Sequence, residues 1–123
     1  MSFERIATRE ANKSVFFRAR IGAVVSKGGR VLSVGCNEIR GYKTRTKKKW
    51  FDSVHAEQKA ILELLMKGRQ HDLVRATIFV SRITRDGELA LAKPCPICQE
   101  LIKAVGIKRV YYTTTSGTES YDV

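Results

Sequence analysis

The chain has 123 residues, with 23 Lys and Arg against 12 Asp and Glu, for a net charge of +11. That length supports one hydrophobic core, so a single domain spanning 1–123 is expected, and the charge points to an anionic partner such as nucleotide phosphate or nucleic acid. No apolar run approaches the about 20 residues of a membrane span, and Met1-Ser2-Phe3-Glu4-Arg5 lacks the apolar stretch of a secretory signal. Three cysteines, two of them in a Cys-x-x-Cys, fit metal or redox chemistry in a reducing, cytoplasmic setting better than a disulfide framework.

Between Phe3 and Phe17, Ile6, Ala7, Ala11, Val15 and Phe16 recur at helical spacing and predict an amphipathic helix covering one sheet face. Ile21–Val25 and Val31–Gly35 are short β-branched runs separated by Gly28-Gly29, which predicts a hairpin. Periodicity then disappears until about Ser53. Within that interval, Lys43-Thr44-Arg45-Thr46-Lys47-Lys48-Lys49 precedes Trp50 and Phe51, a basic loop suited to phosphate beside rings that could stack on a base.

Asp52 or Ser53 can cap a helix that runs to about Lys67 and stops at Gly68, with Ala56, Ala60, Ile61, Leu64 and Leu65 on its apolar face. Residues 73–81 read as a buried third strand. A polar excursion from Arg82 to Lys93 turns at Asp86-Gly87. Pro96 suits the first position of a helix capped at Cys95 and ended by Gly106, and Ile107–Thr113 reads as a fourth strand. The remaining tail is polar and expected to be loose, with Tyr121 and Val123 able to add a short edge strand. This order predicts an α/β layered domain whose later strands are joined by crossovers.

Cys95 and Cys98 are three residues apart at a helix start, so both sulfurs face one side and can share an ion. His55 supplies a nitrogen from another helix start, giving one imidazole and two thiols, a set that leaves a fourth position of zinc for water. Glu57, two residues on, lies about half a turn round the helix from His55, which leaves its carboxylate for proton transfer. A closed structural site that also used Cys36 has the ligand count but would give Glu57 no task. Cys36 alone reads as a buried thiol, and His71 as a surface histidine.

His55-Ala56-Glu57-Gln58-Lys59-Ala60-Ile61 and Pro94-Cys95-Pro96-Ile97-Cys98-Gln99-Glu100-Leu101-Ile102 together form the His-x-Glu…Pro-Cys-x-x-Cys signature of zinc-dependent nucleobase deaminases. The sequence resembles the cytidine/deoxycytidylate deaminase superfamily over nearly its whole length. The resemblance implies a three-layer α-β-α fold around a mixed sheet of four to five strands. It also implies one Zn2+ held by His55, Cys95 and Cys98, and hydrolysis of cytosine to uracil with Glu57 moving the protons. Asn37 matches the family asparagine that holds the sugar hydroxyl, and the backbone amides of Ala56 and Cys95 would face the base carbonyl and the attacking water.

The motif does not separate nucleotides from polynucleotides. Residues 58–61 and 106–112 resemble the deoxycytidylate and small viral members more than the tRNA adenosine deaminases. A cytosine nucleotide is therefore favoured, with Arg45 and Lys47 to Lys49 toward its phosphate and Trp50 and Tyr112 beside the base. The runner-up is deamination of single-stranded DNA or RNA, favoured by the charge and by Trp50, Phe51, Tyr111 and Tyr112 as rim aromatics. A nucleic-acid-binding module on a degenerate enzyme fold is a third reading. An open sheet edge could be covered by a second copy, which would make a homo-oligomer.

Overall fold

Residues 2–15, 19–39 and 53–123 are described by the computed structural model. Helix α1, Phe3–Ala11, starts where the Ser2 side chain accepts a hydrogen bond from the Arg5 N–H at 3.3 Å. It is shorter than the predicted 3–17. The Asn12 backbone N–H and side-chain amide both return to Thr8 O, the competition for backbone groups that makes asparagine a helix terminator. Val15 consequently stands 65% exposed instead of completing the apolar stripe.

Strands β1, Arg20–Lys27, and β2, Arg30–Cys36, form the predicted hairpin, with positive φ at both Gly28 and Gly29. A two-residue ribbon follows, β3 (Glu38–Ile39) against β4 (Ser53–Val54), which no periodicity in the sequence announces. Because β4 takes residues 53 and 54, helix α2, Ala56–Met66, cannot start where predicted. Its N-cap is His55, not Ser53, while Asp52 lies outside the described residues. Gln58 Oε1 accepts from the His55 N–H at 2.9 Å and holds the cap in place.

The predicted strand over 73–81 begins later. Gln70–Leu73 is a 3-10 turn that buries Leu73, and Arg75 adopts a φ of 66°, so extended pairing starts only with β5, Thr77–Ile83. The polar excursion contains its turn at Gly87 and also a short strand, β6 (Leu89–Ala90), paired with the end of β5. Helix α3, Pro96–Ala104, has Cys95 as N-cap and Pro96 in its first position, as predicted. Strands β7 (Arg109–Thr114) and β8 (Gly117–Asp122) then pair antiparallel over their full length. The tail is thus an ordered edge strand.

Among the described residues the sheet order is β2-β1-β5-β7-β8 with β6 added beside β5, six strands where four to five were expected. Of these described strands, β5 and β7 alone run parallel, bridged by α3. Alternation sorts the side chains into two cores. Ala23, Val25, Ile78, Val80 and Val110 meet α2 and α3 on one face, and Val24 and Phe79 meet Ile6 and Ala7 of α1 on the other. The α-β-α layering is as expected.

Both helix contacts need a glycine. A Cβ on Gly35 would lie 2.9 Å from Ala60 N and 3.0 Å from Ala56 O, so α2 rests directly on β2 there. On the opposite face, a Cβ on Gly22 would meet Ala7 O at 2.1 Å and Ala11 N at 2.4 Å, contacts with backbone that cannot yield locally. Gly22→Ala is expected to destabilise the protein by about 3 kcal/mol as α1 is forced off the sheet. A denaturant midpoint within experimental error of wild type would contradict this packing.

Candidate metal centre

The starts of α2 and α3 converge above one end of the sheet. Gly35 lies beneath Ala56, and Ser33 donates to Ala60 O at 2.8 Å, so α2 begins at the Asn37 end of β2 and runs away from it. Thr113, fully buried on β7, accepts from the Arg82 N–H at 3.1 Å and donates to Ala90 O at 2.8 Å. With Ala92 N–H bonded to Thr113 O at 2.9 Å, this clip delivers the chain from β6 to Pro94 and Cys95. Gln99 closes the turn from within α3, donating its side-chain amide to Pro94 O at 2.7 Å and its backbone N–H to Cys95 O at 2.8 Å.

One donor atom from each of His55, Cys95 and Cys98 lies within 4.8 Å of the other two. His55 presents Nδ1, at 3.2 Å from Cys98 Sγ and 3.7 Å from Cys95 Sγ. A tetrahedral zinc ion with ordinary bond lengths sets N···S edges of about 3.6 Å, and the two observed separations fall on either side of it. The donor set therefore fits one zinc ion. Cys36 is not part of it. Gly22, its cross-strand partner, packs under α1, which places Cys36 on the opposite face, among the charges of Glu10, Lys13, Glu38 and Lys59. The closed four-ligand alternative is not built.

Glu57 is 4% exposed. Burial raises its pKa above the ordinary carboxylate value, opposed by a hydrogen bond from its own backbone N–H and by the nearby His55. Burial likewise pushes the Cys98 thiol up, with Glu57 and Cys95 adding to the shift. The carboxylate lies in the first turn of the helix that His55 caps, and two thiolates next to it would be made tolerable by a bound cation and by the unpaired N–H groups of two helix starts.

Asn37 is buried, and its carboxamide is engaged: Oδ1 accepts from Ile21 N–H at 2.9 Å and Nδ2 donates to Ala19 O at 2.7 Å. Ala56, also buried, has the first N–H of α2, which has no partner within the helix. Tyr112 faces the α2 and α3 side but packs into the core, donating to Glu119 at 3.1 Å and meeting the Tyr121 ring edge-on, so it is not a rim aromatic. Tyr111 is on the other face, stacked 5.8 Å from Phe79, and the reading that put both tyrosines at the site's rim is corrected. Arg45, Lys47, Trp50 and Phe51 lie outside the described residues. His71 is exposed, as expected.

An α/β sandwich that sets an imidazole and two thiols at two helix starts, next to a buried carboxylate, is the framework of a zinc-dependent hydrolytic deaminase. The profile described as the cytidine and deoxycytidylate deaminase zinc-binding region matches residues 1–114, and the chain belongs to that family. A deoxycytidylate deaminase of Mycobacterium phage D29 is 30% identical over 135 residues, covering 93% of each chain. The apo structure of the dCMP deaminase from cyanophage S-TIM5 superimposes with a TM-score of 0.70 at 26% identity, over 91% of this chain and 79% of that one. The same cyanophage enzyme in complex with dCMP and dUMP gives 0.67 at 23% identity, over 91% and 78%. A cytidine deaminase from Burkholderia pseudomallei shares the fold, with a TM-score of 0.71 at 18% identity over 99% and 93%. Among the described residues, no helix is long and apolar enough to cross a membrane.

Proposed function

We propose that the chain deaminates a cytosine nucleotide, dCMP in the first instance, to the uracil nucleotide and ammonia. The observation that carries this reading is the His55, Cys95 and Cys98 donor triangle with Glu57 buried beside it. The similarity to phage enzymes that act on dCMP supports the choice of nucleotide.

Zinc held by His55 Nδ1 and the two cysteine sulfurs would supply Lewis acidity toward a water molecule at its open position. Glu57 takes the proton released as the C4–O bond forms and passes it to ring N3. It then moves the second proton from the new C4 hydroxyl to the amine, so that the C4–N bond breaks and ammonia leaves. In this reading the Ala56 N–H would meet the base carbonyl, and Asn37, with one amide hydrogen and one lone pair beyond its bonds to Ala19 and Ile21, would hold the sugar. Arg45 and Lys47 remain candidates for the phosphate, and Trp50 for stacking on the base, on composition.

The charge of +11 favours a second reading, deamination of single-stranded nucleic acid. Zinc-loaded protein assayed on dCMP, CMP, deoxycytidine and cytosine-bearing oligonucleotides decides between them. The expected result is a kcat/KM for dCMP at least about tenfold above that for any oligonucleotide. Product formed on oligonucleotides alone would reverse the assignment.

A further inference from the structure

Arg82 lies at the end of the sheet that carries the metal centre, and nothing in the described protein neutralises it. Along β5, Ile78 and Val80 enter the core under α2 and α3, while Phe79 and Ser81 meet α1. Alternation therefore sends Arg82 to the α2 and α3 face. Its strand partners are Ile21 and Ala90, one step beyond the row Gly35, Ala23, Val80 and Tyr112. That step runs toward His55, because α2 starts above Gly35 and extends the other way. Asn37 lies at the same end, with both its backbone N–H and its Oδ1 bonded to Ile21.

The Arg82 Nε is buried without a hydrogen-bond partner, and its guanidinium joins none of the ion pairs among the described residues. Arg109 also has an orphaned Nε, but its terminal nitrogens meet Asp122 and Ser120, and its guanidinium lies 5.5 Å from the Tyr111 ring centroid. Arg82 has no such outlet. A buried donor left unmatched is destabilising, and a bound acceptor would remove that cost. A guanidinium has donors only, arranged as a fork that matches phosphate oxygens, and it carries a full charge.

We infer that Arg82 binds the phosphate of the substrate nucleotide and sets the preference for nucleotide over nucleoside. This assignment rests on the nucleotide reading above.

The test is the ratio of kcat/KM for dCMP to that for deoxycytidine in Arg82→Gln and Arg82→Lys, with calorimetric binding of dUMP and deoxyuridine to the zinc-loaded proteins. Arg82→Gln is expected to lower the ratio by about 30-fold and to weaken dUMP by a similar factor. Arg82→Lys should recover part of both. One zinc per chain and a wild-type melting curve establish that the variant is folded. Equal losses on nucleotide and nucleoside, or an unchanged ratio, would overturn the assignment. Should the wild type deaminate deoxycytidine or oligonucleotides but not dCMP, the nucleotide reading itself fails. The dUMP measurement still decides Arg82 in that case, since equal affinity in wild type and Arg82→Gln rejects it.

Discussion

Glu57→Gln is expected to keep one zinc per chain and to lower kcat by about a thousandfold. The side chain keeps its shape and its buried position at the second residue of α2, and the donor triangle of His55, Cys95 and Cys98 does not include it. What the amide cannot do is accept the proton from the attacking water and return protons to N3 and to the amine. Because one group serves both transfers, the loss should appear in kcat far more than in KM. Metal analysis and steady-state kinetics on the same preparation check it. Loss of the ion in this variant would show that the carboxylate is a ligand, and near-normal turnover would remove it from the chemistry altogether.

Cys98→Ala is expected to reduce bound zinc to a small fraction of one equivalent and to lower the melting temperature by on the order of 10 °C. Cys98 is fully buried and its sulfur lies 3.2 Å from His55 Nδ1, so alanine there removes one corner of the donor triangle. A bound ion would tie His55 to Cys95 across a sequence separation of 40, and also to Cys98, at the starts of two helices. Losing the ion removes the stabilisation that a ligand of the folded state alone supplies, and leaves the Glu57 carboxylate buried beside a half-buried thiol without a cation. Chelator-treated wild type should melt close to the variant. Retention of a full metal equivalent by Cys98→Ala, or an unaltered melting curve after chelation, would contradict the coupling.

The ligand set was legible in the sequence because each part of it is local. Cys95 and Cys98 are one helical step apart, and Pro96 fixes where the helix begins. The β1–β2 hairpin was legible for a similar reason, since two β-branched runs flank a Gly-Gly turn. Features decided by distant pairing were not. Strand β8 has mostly exposed residues and owes its order to the register with β7, which no alternation in Gly117–Asp122 announces. The β3–β4 ribbon is two residues long on each side, too short to leave a pattern, yet it sets the start of α2 and makes His55 itself the cap. The opposite facing of Tyr111 and Tyr112 follows from strand periodicity and could have been read from it. Arg82 gave no signal, because a lone arginine in a strand acquires meaning only once its neighbours across the sheet are known.

The Gly28-Gly29 turn sits at the far end of an eight-residue strand from Arg20, about 23 Å from the end that carries the ligands. A Cβ at either glycine would meet nothing within 4 Å. This tip is accordingly the natural attachment point for a fluorophore, an affinity handle or a surface tether, since inserted residues there would project into solvent. Immobilised through it, the protein would present its catalytic end outward, free for substrate to reach.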